Sequence, residues 1–127
     1  MSALLLIAVL STASPIFQGA EQNKDDYDFP CKAGDTSDFG VAVCQYQRYK
    51  KADAALNSEY RRILSTSTKK RRNFLIAAQR AWARFRDNDC LAIGSDWEGG
   101  HGRPGTEFAC LADRTEQRTT QLRPYGR

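Results

Sequence analysis

Apolar residues from Val41 onward recur at the spacing of a helix. One face carries apolar side chains at intervals of three and four, namely Tyr49, Ala52, Leu56, Tyr60 and Ile63, with Cys44 on the same face. Because the charged residues fall mostly elsewhere, this pattern predicts an amphipathic helix of roughly 20 residues or more. We expect Ser37 or Asp38 to cap its start, and the run Ser-Thr-Ser-Thr to end it near Ser65, since these residues have low helix propensity.

Two further helices are predicted by the same spacing. The second follows the basic run Lys69–Arg72 and carries a stripe of Leu75, Ala78, Trp82 and Phe85. The third is expected to begin near Thr106 or Glu107, with a stripe of Leu111, Thr115, Arg118 and Leu122. Between them, the glycine-rich stretch from Gly94 to Gly105, which includes Pro104, is predicted to be irregular.

No run of alternating β-branched residues is long enough for a strand. The predicted fold class is therefore all-α: a small three-helix, disulfide-stapled domain. It has two long antiparallel helices and a docked C-terminal helix, and it follows a signal peptide.

The first 20 residues have the pattern of a secretory signal peptide. Ala3 to Leu10 is an unbroken apolar run, small and polar residues follow, and Ala20 provides a cleavage site. The run is too short to span a membrane stably. We therefore expect a periplasmic or secreted protein with residues 1–20 as signal peptide, 21–40 as an irregular arm and 41–123 as the helical domain. No Lys or Arg precedes the run, so the start codon stays open, and a buried N-terminal helix is the alternative.

Four cysteines follow the proposed cleavage site. An even number in a small exported chain is typical of a disulfide framework, and four allow three pairings. We favour Cys31–Cys44 and Cys90–Cys110, because each closes a short local loop. A zinc site is the alternative, but no C-x-x-C pair is present and His101 is the single histidine, so we expect neither metal nor cofactor.

The modest positive charge of the mature chain suits an anionic partner, or equally no more than a soluble surface. Lys and Arg number 19 against 15 Asp and Glu, giving a formal net charge of +4, and none of these residues lies in positions 1–20. Cell-wall polymer, lipid head groups or nucleic acid would suit such a surface, although the export signal disfavours nucleic acid. Four basic residues at Lys69–Arg72 would oppose the dipole at a helix start, which points to a loop or a binding role. The favoured interpretation is nonetheless a solvated turn between two helices, and a binding role is the alternative.

Candidate catalytic residues are few. His101 lies in the glycine-rich stretch near Asp96 and Glu98, so a small acid–base cluster is conceivable there. A general base, however, needs an orienting partner and a substrate group within reach. A solvated loop histidine is the favoured interpretation, and we predict that the protein is not an enzyme.

Several motifs, in order and spacing, resemble the LprI-like lysozyme-inhibitor family of bacterial envelope proteins, of the N-terminal domain type. The resemblance covers about residues 31 to 122. The residues that carry it are Leu75, Ala78, Gln79, Arg80, Ala81, Trp82, Phe85, Arg86, Asp87 and Cys90, with Cys44, Ala52, Asp53, Leu56, Asn57 and Tyr60 upstream and Glu98, Gly99, Gly100, Cys110, Leu111, Thr115, Arg118, Thr119 and Leu122 downstream.

Most of these motif residues are interpreted as structural. Trp82 and Phe85 would supply the largest core area. Asp53 and Arg86 lie beside apolar stripes, so an ion pair between the first two helices is expected, and Asn57 would bond across the same seam. Leu56, Tyr60 and Gln79 complete this structural set.

One loop remains for binding. Gly99 and Gly100 would turn the chain so that Cys110 reaches Cys90, and the candidate binding loop consists of Asp96, Glu98, Gly99, Gly100, His101 and Arg103. The resemblance implies an exported domain, and some family members inhibit lysozyme. A net charge of +4 would slow association with a basic lysozyme, so we expect Asp96 and Glu98 to provide a local acidic patch. The alternative is a non-catalytic periplasmic module for peptidoglycan or another anionic envelope component.

Overall fold

Three α-helices account for most of the residues that the computed structural model describes, which are 24–97 and 100–126. The helices are α1 (Asp38–Thr66), α2 (Lys69–Gly94) and α3 (Arg103–Leu122). Short 3-10 turns cover Lys24–Tyr27, Ser95–Trp97 and Arg123–Gly126. This part of the chain contains no strand, so the all-α, three-helix prediction is confirmed.

Residues with hydroxyl side chains mark both the start and the end of α1. Ser37 caps its start, as predicted, because its Oγ accepts a hydrogen bond from the backbone N of Gly40 at 3.0 Å. Asp35 fixes this cap by accepting hydrogen bonds from both N and Oγ of Ser37. At the other end, Ser67 closes α1 and Thr68 caps α2 by accepting from the backbone N of Arg71 at 3.2 Å. A two-residue connection is therefore sufficient to reverse the chain.

The predicted disulfides are both present. Cys31–Cys44 ties the N-terminal arm to α1, and Cys90–Cys110 ties the end of α2 to α3. The two sulfurs of the second bridge lie in the core, since Cys90 and Cys110 are both buried.

The C-terminal helix α3 lies more centrally than expected for a third helix docked onto a pair of long helices. It packs against both other helices, whereas α1 and α2 have little direct contact with each other. One core cluster lies near the disulfides and contains Ala42, Tyr46, Cys90, Phe108, Cys110 and Leu111. The other lies at the opposite end and contains Leu56, Ile63, Leu75 and Leu122. In both clusters α3 provides the residues that the other helices share.

The predicted core face of α2 is only partly correct. Leu75 is buried, Trp82 is partly buried against the second cluster, and Phe85 is 62 % exposed. The reason is that the α2–α3 interface is partly polar. Gln79 accepts a hydrogen bond from Arg118 Nε at 3.0 Å, and Arg86 donates to Thr115 Oγ1 at 3.3 Å. The contact face therefore passes through Gln79 and Arg86, and Phe85 lies outside it.

The expected ion pair between Asp53 and Arg86 is not the arrangement found. Asp53 accepts a hydrogen bond from Asn57 Nδ2 on its own helix at 3.3 Å, so Asn57 does not bond across the seam. Arg86 pairs with its neighbour Asp87 at 2.9 Å. Across the seam, Arg86 instead lies over the ring of Tyr49 of α1, with its guanidinium carbon 5.6 Å from the ring centroid.

The glycine-rich stretch is shorter and more regular than predicted. Helix α2 continues to Gly94 and α3 already begins at Arg103, so the prediction of irregular structure through Gly105 is wrong. Pro104 lies in the first turn of α3, where its fixed φ and missing N–H are tolerated. Gly94 and Gly105 are needed for close packing, because a Cβ atom would lie 2.5 Å from Glu107 Cγ at Gly94 and 3.1 Å from Val41 Cγ1 at Gly105.

No helix in residues 24–97 and 100–126 combines the length and the apolar character needed to cross a membrane.

Candidate functional site

The predicted binding loop connects α2 to α3 at the same end as both disulfides. Ser95 Oγ donates to the carbonyl of Ala92 at 2.6 Å, and Gly100 N donates to the carbonyl of Trp97 at 2.8 Å, so the described parts of the loop are anchored to the helix end. The Trp97 ring is 51 % exposed. It also lies against Gly102, where a Cβ atom would be 3.0 Å from the ring.

The predicted loop residues have different roles. Asp96, Gly100 and His101 are exposed, whereas Glu98 and Gly99 lie outside the described residues. Arg103 belongs to the first turn of α3, and its Nε donates to Glu107 Oε1 at 2.7 Å. Since Glu107 is only 4 % exposed, this ion pair is built into the helix start. Arg103 therefore helps to fix the loop where it enters α3.

The N-terminal arm adds exposed carboxylates to this end of the molecule. Those of Asp25, Asp26, Asp35 and Asp38 are exposed, close in sequence to Cys31. Hydrogen bonds from Lys50 and Gln47 lower the pKa of Asp28, and those from Ser37 lower the pKa of Asp35. These two carboxylates therefore stay negatively charged at any neutral or mildly acidic pH.

We call this region the disulfide end: the arm, the start of α1, the end of α2, the connecting loop and the start of α3. The segments of the sequence to which these parts belong, 24–46 and 87–107, contain ten acidic and three basic residues. The remaining segments, 47–86 and 108–127, contain four acidic and sixteen basic residues. Asp28, Asp87 and Asp89 pair with cations of these remaining segments, and Glu107 pairs with Arg103. The acidic character of the disulfide end is therefore carried mainly by exposed carboxylates outside these ion pairs, namely Asp25, Asp26, Asp35, Asp38 and Asp96.

Two exposed aromatic rings accompany the acidic groups of the arm. Phe29 and Phe39 are 51 % and 54 % exposed, and their ring centroids lie 6.0 Å apart. They border a shallow depression of about 290 Å³ together with Pro30, Lys32, Asp35, Gly40 and Val43. The sequence pattern predicts only an irregular tether here and gives these residues no role. Aromatic residues at positions 27, 29 and 39 in an otherwise polar stretch were the available signal.

The residues interpreted as a structural motif come together along a second depression, between α1 and α2. Seven of the eight line this groove of about 370 Å³, and only Phe85 does not. They are Asp53, Leu56, Asn57, Tyr60, Gln79, Trp82 and Arg86.

Internal contacts occupy much of the groove's polar surface. The guanidinium carbons of Arg86 and Arg118 lie 5.1 and 5.8 Å from the centroid of the Trp82 ring. Burial lowers the pKa of Arg118 and raises that of Asp87, which Arg86 opposes by its charge. Because these polar groups mainly bond to one another, we interpret the groove residues as structural. The disulfide end, whose polar groups are more exposed, is the stronger candidate for binding a protein.

Comparisons with known proteins agree with this domain. Residues 31–122 match the sequence model of the family described as Lysozyme inhibitor LprI, and this range includes all four cysteines and the three helices. An uncharacterized protein of Rhizobium meliloti (strain 1021) is 33 % identical over 100 residues, covering 68 % of this chain and 72 % of the relative. No solved structure gives a significant match. The match to the family over all three helices and both disulfides shows that this chain belongs to the LprI lysozyme-inhibitor family.

Proposed function

We propose that this protein is an exported, non-catalytic envelope protein that binds and inhibits lysozyme, or a related wall-cleaving enzyme, through its disulfide end. The family match supports an inhibitor. The acidic character of the disulfide end is the structural observation that carries the assignment of the binding surface. Export rests on the sequence pattern of residues 1–20, and the division into signal peptide, arm (21–40) and helical domain (41–123) belongs to this proposal.

The uneven distribution of charge makes binding to a basic lysozyme compatible with a net charge of +4. Lysozymes of the chicken type are basic, and a uniformly basic partner would be repelled at long range. With its acidic residues gathered at one end, this protein can approach such an enzyme with that end first, because electrostatic steering depends on the local field. Asp25, Asp26, Asp38 and Asp96 are exposed and would face the enzyme.

Exposed aromatic side chains supply the apolar part of the surface. Phe29, Phe39 and Trp97 each expose about half of their area at this end. Binding interfaces commonly draw most of their free energy from a few such aromatic anchors surrounded by polar groups. The loop with Asp96 and Trp97 would block the substrate cleft sterically, which requires no catalytic group on the inhibitor.

The experiment measures lysis of bacterial wall by lysozyme, followed as loss of turbidity, with and without an equimolar amount of the mature chain. We expect slower lysis. Replacing Asp96→Asn together with Glu98→Gln should weaken binding roughly tenfold, as expected when charge-assisted hydrogen bonds are removed. It should also flatten the dependence of affinity on salt.

A matched control neutralises one aspartate and one glutamate in another part of the molecule. Asp113→Asn together with Glu116→Gln changes the charge equally, but these residues pair with Arg48 on the side of the α1–α3 interface. Inhibition should persist in this variant. No effect on several lysozyme types, combined with retention on purified peptidoglycan, would contradict the inhibitor assignment and favour a wall-binding module. New reducing ends in the wall sample would instead indicate catalysis.

A further inference from the structure

The end of the molecule opposite the disulfides has an exposed basic and aromatic surface. Lys69, Lys70, Arg71 and Arg72 form the first turn of α2 and are exposed. Next to them, Phe74 is 69 % exposed and Tyr125, from the turn after α3, is 47 % exposed. We call these six residues the basic end.

The four cations have no partner that would explain them as structural residues. Ion pairs in the described part of the chain engage Arg48, Lys50, Arg62, Arg86, Arg103 and Arg114, and none involves Lys69–Arg72. The acidic residue Glu59 of α1 is already paired with Arg62. In the first helical turn, moreover, positive charge opposes the helix dipole and lowers stability. The run thus reduces the stability of α2 without a compensating contact.

Apolar surface lies among these charges. Phe74, Leu75, Ala78 and Tyr125 line a shallow depression of about 370 Å³ whose remaining lining comes from Thr68, Lys70 and Arg71. Lys70, Phe74 and Ala78 are spaced by four, so they form one stripe of the helix, with the charged residue at its start. The exposed Phe74 ring therefore shares one depression with two of the cations, Lys70 and Arg71.

We propose that the basic end docks on an anionic lipid surface. Phosphate head groups would match the four cations, while the Phe74 ring would enter the boundary between head groups and acyl chains. A wall polymer would use the charges but would give Phe74 no apolar phase to enter, so the combination favours lipid. This inference does not depend on lysozyme binding.

Such docking would be peripheral and reversible. One inserted ring with a few cations gives only modest, salt-sensitive affinity. Since most of the acidic residues lie at the disulfide end, docking would leave that end directed away from the lipid.

The test is co-sedimentation of the mature chain with lipid vesicles. One set consists of phosphatidylcholine alone, and the other contains about one third phosphatidylglycerol to give an anionic surface. We expect binding only to the anionic vesicles and its loss as salt rises. The variant Lys69→Gln, Lys70→Gln, Arg72→Gln should partition more weakly by about fivefold for each charge removed. Phe74→Ser should weaken binding roughly tenfold, through lost apolar burial.

A matched control separates this site from a general charge effect. The variant Lys32→Gln, Lys51→Gln, Arg84→Gln removes two lysines and one arginine that are also exposed, but lie outside the basic end. It should bind like the wild type, and circular dichroism should show every variant folded. Equal loss in both triple variants, absence of binding to anionic vesicles, or retention by purified wall polymer but not by vesicles would each overturn the proposal.

Discussion

Phe108 and Phe85 show how differently two phenylalanines of one helical domain can contribute. Phe108 is 2 % exposed, and its ring centroid lies 5.4 Å from that of Tyr27 and 5.1 Å from that of Tyr46. It thereby joins the arm, α1 and α3. Phe85 belongs to the apolar stripe predicted for α2, yet most of its side chain is in solvent.

These environments predict opposite responses to the same substitution. Phe108→Ala should lower the free energy of unfolding by about 3–5 kcal/mol, because it leaves a cavity among packed rings. In a domain stable by about 5–10 kcal/mol, that is a large fraction of the total. Phe85→Ala should change it by less than about 1 kcal/mol. Urea denaturation followed by circular dichroism measures both, and equal losses would contradict the assignment of the core.

Sequence periodicity identified core residues correctly where the interface is apolar. Leu111, Thr115 and Leu122 of α3 are fully buried, as their spacing predicted. The same spacing predicted the contact face of α2 only in part, because that face includes Gln79 and Arg86. A pattern of apolar residues cannot indicate polar side chains that bond across an interface. Apolar neighbours such as Phe85 were assigned to the core in their place.

At the scale of elements, the two disulfides hold different kinds of structure. Cys90–Cys110 joins two long helices within the core, whereas Cys31–Cys44 fastens an exposed arm to α1. Both were predictable from sequence separations of 20 and 13, because each closes a short loop.

Removing each bridge should therefore have separable effects. Cys90→Ala with Cys110→Ala should lower the free energy of unfolding by about 2–5 kcal/mol, the usual range for a small exported domain. Cys31→Ala with Cys44→Ala should cost less and should mainly free the arm, which amide hydrogen exchange would report as faster exchange after Asp28. Loss of global folding in the second variant alone would contradict this division.

Element boundaries were predictable where capping residues mark them and not where packing decides. Ser37 was identified as a possible cap because its hydroxyl can accept from the first turn. Gly94 and Gly105 were interpreted as loop residues because glycine usually breaks helices. Here they allow close approach to Glu107 and Val41, which no local pattern contains. The aromatic depression of the arm was missed for the same reason, since Phe29 and Phe39 meet only after folding.

For the molecule as a whole, net charge and charge distribution carry different information. The net charge of +4 follows from composition alone. The separation into an acidic disulfide end and a basic remainder depends on which distant segments the helices bring together. Only the packing of α3 against both α1 and α2 brings the start of α1 close to the end of α2 and the start of α3.

This polarity predicts unusual behaviour on ion exchangers. At neutral pH and low ionic strength, we expect the mature chain to be retained by a cation exchanger and also by an anion exchanger, which would not retain a uniformly charged protein of net charge +4. Asp25→Asn with Asp26→Asn should abolish retention on the anion exchanger. Asp53→Asn with Asp113→Asn, an equal change elsewhere, should leave it largely intact, and equal effects of the two pairs would argue against a local acidic surface.

The central position of α3 has a consequence for the order of synthesis. Helices α1 and α2 have little direct contact, so a nascent chain that ends before residue 103 has no partner for most of its apolar faces. Leu111 and Leu122, which complete the two clusters, are synthesised after the residues of α1 and α2 that they pack against. The chain therefore cannot bury its core until α3 has been made. This order of folding suits the proposed export, because translocation through a membrane requires an unfolded chain.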